Sequence, residues 1–110
     1  MNTENEILDI LDIADSIDDG SQQYLTFELD SEHYGVEILR VQEIKGWGSV
    51  TSIPNTPEHV CGVLNLRGVI VPIIDLRLLF GMPFNAYTKT TVVVVVKVEG
   101  ITDRIVGIVV

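Results

Sequence analysis

Both histidines, His33 and His59, and the one cysteine, Cys61, are of types that catalyse or bind metal. His59 and Cys61 form an HxC pair that could put an imidazole and a thiolate on one ion. Structural zinc needs four such ligands, and no further His or Cys stands at metal-ligand spacing, so a metal site is not supported. A Cys61 nucleophile activated by a distant His fares no better. Cys61 opens an apolar stretch, where a small buried thiol is the ordinary case. The sixteen Asp and Glu residues form no pair spaced for acid–base work in a cleft. The glycines match neither GxGxxG nor GxxxxGK, the patterns that cradle phosphates. These residues point to a protein that is not an enzyme, with no catalytic residue, no metal site and no cofactor.

One pair of polar residues remains unexplained by these tests. "NLRG", residues 65–68, lies between two strongly apolar runs. A type I turn favours Asn at its first position and Gly at its fourth, which accounts for Asn65 and Gly68. Turn chemistry does not select Arg67. Its planar guanidinium suits a bidentate carboxylate or a protein interface, and Glu43 is a plausible mate.

The elements that must position these residues are mostly strands. With 110 residues, 46% of them hydrophobic, the chain is sized for one domain with ample core. Its longest apolar run, Val92 to Val96, is far short of a membrane span, and the start of the chain is acidic rather than a basic, apolar leader. A single cysteine fits a reducing compartment. The expectation is a cytoplasmic, soluble protein with no membrane insertion. Of the net charge of −9, most belongs to residues 1–20, which hold seven acids and no base. The rest shows no Lys/Arg cluster, which argues against nucleic acid.

Residues 3–19 read as an amphipathic helix, with Ile7, Ile10, Leu11, Ala14 and Ile17 on one face and a Thr3–Glu6 capping box. From residue 23 the apolar period becomes two, giving a strand at 24–29 and another through Tyr34, Val36 and Ile38. The phase slips by one at Leu39 and Val41, the mark of a bulge or strand corner. One apolar side chain there must turn outward. Asn55–Val60 could hold a helical turn. Strands follow at 62–66 and 68–74, then a short helix capped by Asp75 and closed by Gly81. A final pair spans 90–98 and 104–110. The last strand ends the sequence without a polar exit, so its backbone edge is expected to need a partner. Short strands with little helix indicate a small barrel or sandwich.

"YGVEILRVQEI", "IPNTPEHVCGVLNLRGVIVPIIDLR" and "TVVVVVKVEG" followed by "RIVGIVV", in this order, resemble the CheW family of bacterial chemotaxis coupling proteins. The resemblance covers roughly residues 22–110. It implies a mainly β fold of two small SH3-like β-barrels with short helices, preceded by the acidic helix or tail of residues 1–21. It also implies an adaptor that joins methyl-accepting chemoreceptor tips to the regulatory domain of a CheA-type histidine kinase, at the inner face of the membrane through receptor arrays. Partner-facing roles carry over to Glu43 and Arg67, with Asn65 in the same turn, and to the apolar Leu25, Ile38, Val41 and Ile44. For each apolar residue taken singly, core burial is the plainer role.

Family members continue beyond "VGIVV", so the second barrel is expected to be incomplete here, through truncation or through closure by strand exchange with a second copy. Two neighbouring readings stay open: a CheW-like regulatory domain cut from a CheA kinase, and a CheV-type adaptor. The acidic lead-in from Met1 favours the free adaptor. A small enzyme or metal protein would require His33, His59 or Cys61 to matter.

Overall fold

The computed structural model describes residues 7, 10–13, 23–98 and 104–110. Eight strands occur among them: β1 (Leu11–Ile13), β2 (Tyr24–Leu29), β3 (Glu32–Glu37), β4 (Val41–Gly46), β5 (Val60–Leu66), β6 (Val69–Asp75), β7 (Val92–Val98) and β8 (Arg104–Val109). The helix α1 (Leu76–Leu79) is a single turn after β6. The strands form two sheets, a three-stranded one ordered β1-β3-β2 and a five-stranded one ordered β4-β7-β8-β6-β5. The mainly β expectation holds. Of the two sheets, the one built by the N-terminal strands is the smaller, whereas the sequence placed the missing part in the second.

The valine run explains itself in this arrangement. β7 lies inside the five-stranded sheet, and both of its faces are covered. Val94, Val96 and Val98 join the core shared with Leu29 and Val36 of the small sheet, while Val93 and Val95 face a second core with Leu64, Leu66, Val71 and Ile73. A strand buried on both sides has no polar alternation to show, and β-branched side chains pack well on it.

The free edge expected for the last strand does not exist. β8 pairs antiparallel with β7 and parallel with β6, so both of its edges are taken and an exchange there is not needed. The parallel pairing arises because β7 returns between β6 and β8 in sequence but not in space. The two ends of the five-stranded sheet approach each other: Thr51, just beyond β4, forms an isolated bridge with Val63 of β5. Both hydrogen bonds of that bridge are 2.8 Å. It requires glycine at position 62, where a Cβ would overlap the Thr51 carbonyl.

Two helical expectations fail. Ile7 and Ile10 have helical backbone, but residues 11–13, expected inside the same helix, form β1 and pair with β3 at Leu11↔Val36, Asp12↔Gly35 and Ile13↔Tyr34. The edge of β3 offers those residues backbone partners, which outweighs a weak helical preference. The remainder of the expected helix lies outside the described residues. Asn55–Val60 is a turn region without a helix, because Asn55 takes a φ of 63° and Pro57 follows. The Asp75 cap is as expected: its Oδ1 accepts from the backbone N–H of Arg77 (3.0 Å) and of Leu78 (3.3 Å).

Candidate functional site

The phase slip seen in the sequence becomes a sharp corner. A 3-10 turn at Ile38–Arg40 separates β3 from β4, and the β4–β7 register shifts between Val41 and Glu43. Together they carry the chain from the small sheet to the edge of the large one. The corner turns apolar side chains outward: Ile38 is 40% exposed, Leu39 87% and, further along the edge strand, Ile44 52%. Leu39 was not among the residues picked from the sequence, although it stands at the slip itself. Leu25 and Val41 differ from the expectation. Both are half-buried and pack against the main core, as their sheet positions require, which leaves less of each side chain open than at Ile38 or Ile44.

The "NLRG" turn is not the expected type I. β5 ends at Leu66 and β6 begins at Val69, so only Arg67 and Gly68 are in the loop. Both have positive φ, 51° and 87°. A two-residue hairpin with two positive φ values is type I′, whose twist suits the strands it joins. Gly68 takes such a φ freely, but for Arg67 it costs roughly 1–2 kcal/mol. Asn65 Oδ1 accepts from the Gly68 N–H at 2.9 Å, so Asn65 stabilises the hairpin it precedes.

This turn brings Arg67 to Glu43. Arg67 Nη2 lies 3.9 Å from Glu43 Oε2, and Lys45 Nζ lies 3.5 Å from Glu43 Oε1. The Arg67 contact is too long for a hydrogen bond, and Glu43 Oε2, shielded from solvent, has no hydrogen-bond partner. The exposures are unequal: 74% for the Arg67 side chain, 29% for Glu43. The sequence-based pairing of these two residues is therefore found as an ion pair. Beside it, Val69 and Ile70 are exposed at the start of β6. They were missed because two consecutive apolar residues opening a strand read as core. Arg40 was also missed: its Nε and Nη1 are shielded from solvent without a hydrogen-bond partner.

The histidines and the cysteine do not assemble. His33 Nε2 meets Glu28 Oε2 at 2.9 Å on the exposed β2–β3 hairpin. The Cys61 thiol lies 3.4 Å from the Tyr87 hydroxyl, which donates to Asp75 Oδ2 at 2.6 Å. Tyr87 also stacks on Trp47 at 3.8 Å between ring centroids. Burial pushes the Cys61 thiol above its ordinary value, against the Tyr87 hydrogen bond and with help from the Asp75 charge. Burial likewise pushes the Tyr87 phenol up, reinforced by its hydrogen bond to Asp75. Such a thiol is a poor nucleophile; the cluster ties the segment around residue 87 to the helix cap. Among the described residues, no group of three or more His, Cys, Asp or Glu could hold a metal ion.

The family model for the CheW-like domain matches residues 23–110. Chemotaxis protein CheW of Klebsiella aerogenes is 53% identical over 89 residues, 81% of this chain and 52% of that protein. A probable chemotaxis protein CheW of Rhizobium etli is 35% identical over 95 residues, 86% of this chain and 59% of that protein. The crystal structure of the scaffolding protein TtCheW from Thermoanaerobacter tengcongensis superposes with a TM-score of 0.71 at 36% identity, covering 81% of this chain and 59% of that one. The chain thus spans about half the length of the curated relatives it matches. With a match reaching from β2 to the last strand, this chain belongs to the CheW-like domain family.

Proposed function

We propose that the chain is a chemotaxis adaptor without catalysis of its own, coupling methyl-accepting chemoreceptor tips to the regulatory domain of a CheA-type histidine kinase. The observation that carries this reading is the Glu43–Arg67 pair set between exposed apolar side chains. Exposed Ile38 and Leu39 stand at the corner just before β4, exposed Ile44 follows Glu43 on that strand with its side chain on the other face, and exposed Val69 and Ile70 open β6 just after the Arg67–Gly68 turn. Apolar anchors around a partly desolvated charge pair suit a protein surface better than a small-molecule site. In this reading Glu43, Arg67, Ile38 and Ile44 touch partners, whereas Leu25, Val41 and Asn65 support them from behind.

The two sheets correspond to the two SH3-like barrels of the family, with the three-stranded sheet the incomplete one. Residues 22–110 form the adaptor domain and residues 1–21 its acidic leader. Among the described residues no helix is long and apolar enough to cross a membrane. The proposed place is the cytoplasm, at the inner membrane face through receptor arrays. The test is calorimetric titration of this chain against the regulatory domain of a chemotaxis kinase. Saturable one-to-one binding, weakened by Arg67→Ala, is expected. A folded chain that binds neither this domain nor a receptor-tip peptide overturns the reading.

A further inference from the structure

The acidic leader does more than precede the domain. β1 pairs with the edge of β3 that faces away from β2. Ile7 is fully buried, and Ile10 nearly so, in the cluster that also holds Leu29, Val36, Val94 and Ile108. Leu11 packs against the same cluster. Yet the residues matched by the family model begin only at position 23. The seat is therefore made by the family domain, and its occupant comes from outside the matched region.

We propose that the outer edge of β3, with the apolar seat behind it, is a strand-acceptor site whose occupant is the N-terminal segment of this same chain, held in cis in the monomer and interchangeable between copies. Chain length permits both modes. Ten residues, 14–23, separate β1 from β2, and such a stretch reaches about 33–36 Å when extended. β1 and β2 both run antiparallel to β3, so the return spans about two strand spacings, roughly 10 Å, sideways and about three residues, roughly 10 Å, back along the strand from the level of Tyr34 to that of Glu37, or about 14 Å in all. The composition of the segment fits one strand added per edge. Its seven acids and absent bases make stacking of further identical strands unfavourable, the usual defence of an exposed edge. Backbone pairing with apolar side chains seated behind it is the chemistry of strand addition.

The test uses the full chain and a fluorescent peptide of residues 1–22. In an Ile7→Asp/Ile10→Asp variant the chain's own segment loses its apolar hold and frees the seat. Fluorescence anisotropy is expected to show this variant binding one peptide per chain, at least about tenfold more tightly than the wild type, whose tethered segment competes at high effective concentration. A folded variant that ignores the peptide, or equal binding by both chains, overturns the proposal. If the variant does not fold, hydrogen exchange on the wild type decides. The β3 amides turned toward β1 are expected to exchange at least about tenfold more slowly than amides on the outer edge of β4, which pairs with no strand among the described residues. Equal rates overturn it.

Discussion

Arg67 carries two properties that one substitution would confuse: a guanidinium near Glu43 and a left-handed backbone at the hairpin tip. Comparing Arg67→Gly with Arg67→Ala separates them. Both remove the ion pair, which at 74% side-chain exposure for Arg67 contributes about 0–1 kcal/mol after solvent screening. Alanine keeps the Cβ and hence the roughly 1–2 kcal/mol cost of a positive φ. Glycine removes that cost but adds about 0.5–1 kcal/mol of unfolded-chain entropy. The glycine variant should therefore be about 0.5–1 kcal/mol more stable than the alanine variant and close to the wild type. In urea titrations followed by Trp47 fluorescence, with a slope of about 1–2 kcal/mol per molar, its midpoint should lie about 0.25–1 M higher. On the proposed function, both variants should lose kinase-domain affinity equally. A glycine variant no more stable than the alanine one refutes the strained turn. A glycine variant that keeps full binding shows that turn shape, not the guanidinium, makes the contact.

Tyr87→Phe leaves Asp75 Oδ2 without its 2.6 Å donor while keeping a ring on Trp47; an unfolding loss of about 1–3 kcal/mol is expected in urea, and no change would show the hydrogen bond to be idle. Cys61 should react slowly with a disulfide reagent at pH 8 and rapidly once urea unfolds the chain; equal rates would contradict the burial that raises its pKa. The same shift sets a pH dependence. Because the folded thiol and phenol are raised, their contribution is complete below the ordinary thiol value. It is lost as pH rises from there through the folded values, so the urea midpoint should fall on the alkaline side. Gly62→Ala forces a Cβ into the Thr51 carbonyl and should cost about 1–3 kcal/mol or more through overpacking and loss of the Thr51–Val63 bridge; a neutral effect would mean that the bridge is not formed.

What could be read from the sequence follows the range of the interactions involved. β2 was legible to the residue, as was the Asp75 cap, because alternation and capping are local. The slip at Leu39 was legible as a corner, since a phase error is visible wherever it falls. β1 was not. Leu11 fits the helical face of Ile7, Ile10, Ala14 and Ile17 as well as it fits a strand, and only the edge of β3, some twenty residues away, decides between them. The apparent orphan edge of β8 misled for the same reason: its partners β6 and β7 flank it in space through a parallel pairing that no local pattern announces. The hairpin at Arg67 was misjudged by one residue. Asn at the first position of a type I turn and Asn two residues before a type I′ pair give the same tetrapeptide, and only strand register separates them. At the site, charge type found Glu43 and Arg67, but hydrophobicity could not tell the seated Leu25 and Val41 from the open Ile38 and Ile44.

The position of the site in the fold bears on what it can afford to do. Arg40 and Glu43 both hold polar atoms shielded from water without a hydrogen-bond partner, and such groups cost about 1–3 kcal/mol each. Arg67 adds backbone strain. All three gather at the corner and edge of the large sheet rather than in its middle. The middle is where β7 buries Val93 to Val96 on two faces, each side chain contributing on the order of 1.5–3 kcal/mol. A sheet stabilised by an interior strand buried on both faces can carry unfavourable groups at its corner and at a hairpin tip, where the side chains are exposed. The unsatisfied atoms are then open to improvement only by something that supplies hydrogen bonds from outside: an acceptor for Arg40, a donor for Glu43. A partner surface that offers both, with apolar side chains to cover Leu39 and Ile44, removes costs that the isolated chain bears. Binding there draws on relief of those costs as well as on new contact area.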